Sequence, residues 1–169
     1  MKNLFAIALL IVCSAAASVA EISQPKGEVI LEISGEISSK NVAETAQFDL
    51  EMLQALPSHS FVTSTIWTDG AQSFEGVELS VIADLVGFEG DTLSASAVND
   101  YTIEIPISDA APGRAMIAYL RNGNPMPLRD KGPLWIVYPF DSSSDFQSET
   151  IYSRSIWQLN RIAVSNSGG

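Results

Sequence analysis

The chain has 169 residues, with 20 acidic against 9 basic side chains and a formal net charge of −11. So acidic a chain argues against nucleic acid or an anionic membrane as its partner. Cys13 is the sole cysteine and His59 the sole histidine, which argues against a disulfide framework and against a histidine-rich zinc or iron site.

Residues 1–20 read as an export leader. Lys2 supplies the positive end, Leu4 to Val12 the apolar stretch, and Ser18-Val19-Ala20 a small-residue cleavage site before Glu21. The apolar run is too short to span a bilayer. Acylation at Cys13 would want a small residue where Val12 stands. The expectation is therefore a periplasmic protein, cleaved near Ala20, that loses its cysteine with the leader. The rest suffices for one domain with its own core, placed at 21–164, with a disordered tail at 165–169.

Val29, Leu31 and Ile33 alternate with polar residues and predict a strand ending at Gly35. Residues 41–47 read as a polar loop. Asp49 is placed to cap a short helix whose Leu50, Leu53, Ala55 and Leu56 face inward before Pro57. Phe61 to Trp67 reads as a strand closed by Asp69-Gly70. Val77 to Val86 has helical spacing, with Gly87 as its C-terminal cap.

From Thr92 the period changes to two. Leu93, Ala95 and Ala97, the turn Asn99-Asp100, then Tyr101, Ile103 and Ile105 predict a β-hairpin. Met116 to Leu120 is a further strand, turned at Asn122-Gly123. Leu134 to Tyr138 is an apolar run between prolines and predicts a buried strand. Residues 141–147 read as a polar loop and Ile156 to Val164 as the last strand. The fold class is α+β: a β-rich single domain with short helices.

Six of the nine basic residues, Arg114, Arg121, Arg129, Lys131, Arg154 and Arg161, lie within one stretch that also holds Trp135 and Trp157. A cationic, aromatic region on an acidic background suggests a pocket for a flat anionic or polar ligand. The Pro- and Gly-braced loop carrying Arg129, Asp130 and Lys131 fixes its charges at small entropic cost. Arg154-Ser155 is placed to add a cation and a hydroxyl. The alternative for all of these is a solvated loop face. Trp135 reads as core, Arg161 as a partner for a local acid, and His59 as a surface residue at a strand start. Trp157 and Tyr101 read equally as packing residues, and Asp100 as a turn residue.

The segment Arg121-Asn-Gly-Asn-Pro-Met-Pro, followed by Asp130-Lys-Gly-Pro-Leu, an apolar strand ending Tyr138-Pro139, and Tyr152-Ser-Arg-Ser-Ile-Trp-Gln-Leu-Asn-Arg-Ile, resembles the sulfite-oxidase-type molybdopterin-binding domain. Phe74-Glu-Gly-Val-Glu-Leu79 is similar to that family's Trp-x-Gly-Val-x-Leu run, and Asn99-Asp-Tyr101 stands at its Asp-Gly-Tyr-like turn. The resemblance implies that fold over nearly the whole mature chain. In the family a cysteine after the strand equivalent to Phe61–Trp67 ligates molybdenum. Here the region reads Thr63-Ser-Thr-Ile-Trp-Thr-Asp-Gly, and a hydroxyl does not replace a soft thiolate.

The resemblance therefore implies a grip on a free, metal-free pterin, of tetrahydropterin type, without molybdenum. Trp67, Tyr101, Trp135 and Trp157 are the candidate stacking faces. Asp69, Asp100 and Asp130 are candidate carboxylates for its amino-pyrimidinone edge. Arg129, Lys131, Arg154 and Ser155 complete the candidate ligand set; no catalytic residue or metal ligand is assigned. Short, exported, cysteine-less relatives imply a relay of ligand state to a membrane-bound sensor of cyclic-di-GMP turnover. On this reading a binding role is favoured over an enzyme. The alternative is a molybdopterin-dependent oxidoreductase with a non-cysteine metal ligand.

Overall fold

The structure, a computed structural model, describes residues 21–168, so the expected leader at 1–20 lies outside the described residues. The alternation read from the sequence sets β1 (Leu31–Gly35), which buries Leu31 and Ile33 and leaves Glu32 and Ser34 half-buried. Inside the expected polar loop, β2 (Ala46–Phe48) forms because Ala46 and Phe48 are both core residues and pair with Ile33 and Leu31.

Asp49 caps α1 (Leu50–Gln54) as its position suggests. One carboxylate oxygen accepts from Met52 N, and the other accepts from Lys26 N and Gly27 N. Leu53 is buried, whereas Leu50 faces outward.

The helix expected from Val77 starts later. Strand β4 (Ala71–Glu78) pairs with β3 (His59–Ser64) on one side and β7 (Met116–Arg121) on the other. Val77 lies opposite Ile117, so tertiary pairing overrides its helical spacing. Gly76 sits at a register shift there, where a Cβ would lie 2.1 Å from Ile117 O. Only then does α2 (Leu79–Val86) begin, and Gly87 caps it in the left-handed conformation.

The hairpin of β5 (Thr92–Ala97) and β6 (Thr102–Pro106) follows the expected alternation. Beyond β7 come β8 (Asn124–Pro125) and β9 (Trp135–Val137). The expected last strand from Ile156 is shorter: α3 (Glu149–Arg154), capped by Ser148, precedes it, and β10 runs Leu159–Ser165. Gln158, at φ 54°, breaks the extended run.

The described residues form two five-stranded sheets. One has the order β2-β1-β10-β5-β6, with β1 and β10 parallel; the other is β3-β4-β7-β8, with β9 added to β7. A single apolar cluster draws on both, from Leu31, Ile33, Leu93 and Ile162 in the first to Phe74, Ile117 and Trp135 in the second. The start of the expected tail is tied down, since Ser165 belongs to β10 and Ser167 N donates to Asp91.

Candidate ligand cavity

A half-open cavity of about 370 Å³ lies where the two sheets' loops meet. Trp67, in the β3–β4 loop, forms one wall. The β5–β6 hairpin gives Ala97, Asn99 and Tyr101. The end of α3 and the link to β10 give Tyr152, Ser153, Ser155, Ile156, Trp157 and Gln158. Loops carried on rigid sheets are where ligand sites concentrate.

Trp67 is the hub of the aromatic wall. Its ring meets Trp135, Phe140, Tyr152 and Trp157 edge-on, at centroid distances of 5.9, 6.3, 6.0 and 5.6 Å. Such contacts are favourable between ring quadrupoles and hold Trp67 upright. Trp135 is fully buried, as its apolar strand implies, and its indole N–H donates to Ser155 O and Oγ. Backbone pairing of Trp135 with Trp157 fastens the cavity wall to β9.

Of the residues singled out from the sequence, Trp67, Tyr101, Ser155 and Trp157 converge on the cavity. The charged candidates are not on the lining. Asp130 accepts from Arg121, and Asp100, in the left-handed region at the hairpin turn, accepts from Arg161. Asp69 and Arg129 are exposed on their loops. Lys131 lies 4.0 Å above the centre of the Trp157 ring and 5.2 Å from that of Trp135. Burial pulls its ammonium below the usual lysine range, partly offset by Asp130.

Arg154 points away from the cavity to a cluster that the sequence did not disclose. Asp109, 1% exposed, accepts from Arg154 and Arg114 at 3.0 Å each and from the Tyr138 hydroxyl at 2.9 Å. Burial, then the Asp109 charge, hold the Tyr138 hydroxyl far above its ordinary range. Asp109 lies in a short 3₁₀ turn after β6, and nothing in Ile107-Ser-Asp-Ala marks its carboxylate as buried. Asn99, Tyr152, Ser153 and Gln158 were also missed as lining residues, because a helix end and a hairpin have to fold before they meet.

No family model matches the chain, and no curated protein matches it. Among solved structures, the sulfane dehydrogenase SoxCD from Paracoccus pantotrophus is similar at a TM-score of 0.61 and 19% identity, over 80% of this chain. The fold is the sulfite-oxidase-type molybdopterin-binding fold. This chain spans 37% of the length of the matched one. The match also corrects the expectation against an enzyme. The similar structure is itself a dehydrogenase, so the expectation that favoured a binding role over an enzyme does not stand.

Proposed function

We propose that the chain binds a pterin in the cavity walled by Trp67, Tyr101, Tyr152 and Trp157. One observation carries this reading: four aromatic side chains face a half-open cavity whose volume suits a bicyclic ring. Flat heteroaromatic rings bind by stacking on such faces, and the resemblance along Arg121–Ile162 points to a pterin among them. In an exported protein the bound state would be relayed to a membrane-bound sensor of cyclic-di-GMP turnover. Titration with oxidised and reduced pterins, followed by quenching of tryptophan fluorescence, tests the binding. Saturable quenching at micromolar ligand supports it; a flat response with every pterin overturns it.

The likeness to a dehydrogenase favours a second reading, a molybdopterin-dependent oxidoreductase. The residues present do not fit a thiolate-held molybdenum. Thr63 Oγ1 accepts from Asp141 N, and Thr65 Oγ1 is bonded to Thr68 Oγ1 and Trp67 N. These hydroxyls are engaged within the protein and lack the softness of a thiolate. Any metal ligand on this reading comes from other residues. Metal analysis after expression in a host that makes molybdenum cofactor decides it: stoichiometric molybdenum with dye-linked turnover supports an oxidoreductase, and metal-free protein without turnover sinks it.

A further inference from the structure

Among the described residues, the lining of the cavity carries no formal charge. Every side chain on it is aromatic, aliphatic, hydroxyl or amide. The ions that flank it in sequence are not on the lining: Arg154 pairs with Asp109, Asp100 with Arg161, and Lys131 lies over the ring of the wall residue Trp157. A phosphate brought against such a lining gives up its hydration with no cationic side chain among the lining residues in return, and an uncompensated charge is costly to desolvate.

Two amides on the lining remain available to a neutral ring. Asn99 Oδ1 accepts from Tyr101 N, which leaves the Asn99 amide N–H groups for a ligand. Gln158 Nε2 donates to Leu128 O at 2.6 Å, which fixes the amide and leaves Oε1 as an acceptor. The cavity thus offers one donor group and one acceptor between aromatic walls. That pattern matches the adjoining C=O and N–H groups on the edge of a neutral pyrimidinone.

Resting on the pterin reading above, we infer that this cavity selects a neutral, unphosphorylated pterin and rejects phosphate-bearing forms, with Asn99 and Gln158 as the residues that read the ring edge. The carboxylates suggested by the sequence are not needed for that edge. The stacking walls set affinity, and the two amides set orientation.

The experiment is calorimetric titration of the whole mature protein with neopterin and with neopterin monophosphate, at low and high salt. The expected result is saturable binding of neopterin with little salt dependence, and a monophosphate at least about tenfold weaker. Asn99→Ala and Gln158→Ala should each weaken neopterin by about 3- to 10-fold. Asn99→Lys, at an exposed position, should narrow the gap between the two ligands by supplying the missing cation. A monophosphate that binds as well as neopterin, or better, overturns the inference and leaves the pterin reading standing. Failure of both ligands to bind overturns the two together.

Discussion

Arg154 donates to Asp109 across 45 positions of sequence and joins the end of α3 to the turn after β6. Because six cavity-lining residues lie between Tyr152 and Gln158, this ion pair anchors that wall from behind. Asp109 is enclosed while Arg114 and Arg154 keep some solvent contact. Removing the carboxylate therefore leaves two guanidinium groups and the Tyr138 hydroxyl without their acceptor. Asp109→Ala should cost about 3 kcal/mol, the low end for a broken buried pair, read from urea unfolding. Asp109→Ala with Arg154→Ala should cost less than the two changes summed, since each removes the same contact. Strict additivity would show that the two residues are not coupled.

Ser155 lines the cavity, yet its hydroxyl is already committed. Oγ donates to Ile136 O at 2.6 Å and accepts from the Trp135 indole N–H. Ser155→Ala should lower stability by about 1 kcal/mol, because Trp135 keeps the Ser155 carbonyl as an acceptor. Pterin affinity should change less than about twofold, as no bond to ligand is lost. A large loss of affinity with unchanged stability would return Ser155 to the ligand set.

The alternation in β1, β5 and β6 and the caps Asp49 and Gly87 are local signals, and local signals survive folding. Part of the cavity's aromatic lining has local signals too, since Trp67 follows a strand and Tyr101 a hairpin turn, whereas Tyr152 does not stand out until α3 folds against them. The charges were not legible. Arg154, Asp130 and Asp100 looked available because sequence shows no partners, whereas each meets an opposite charge 9 to 61 positions away. Helical spacing places the start of α2 at Val77, whereas the pairing of β4 with β7 keeps Val77 extended and the helix begins at Leu79. Asp109 was overlooked for the complementary reason, since burial of a carboxylate depends wholly on distant donors.

Acid should weaken the fold partly through Asp49. Three backbone N–H groups, those of Gly27, Met52 and Lys26, hold its carboxyl below the ordinary aspartate range. A carboxylate whose folded pKa is depressed contributes stability above its unfolded pKa and loses it as pH falls through the folded value. Wild type should therefore exceed Asp49→Ala in stability near neutral pH, and the gap should close as pH falls below the aspartate range. Asp91, lowered by Ser167 and Thr92, adds the same trend in both proteins. Denaturant unfolding at several pH values separates the two, and a gap independent of pH would remove Asp49 from the account.

Trp67 gives the sharpest test of the cavity. It is half-buried, and its ring braces four others. Trp67→Ala should cost about 3 kcal/mol of stability through lost packing. It should also weaken pterin by about 10- to 100-fold if a stacking face is lost. Trp67→Phe separates the two effects, because a smaller ring keeps the edge-on contacts and a stacking face. It should recover most of the stability and bring affinity to within about tenfold of wild type. Full affinity in a folded Trp67→Ala protein would show that the ligand lies elsewhere and that this wall is packing alone.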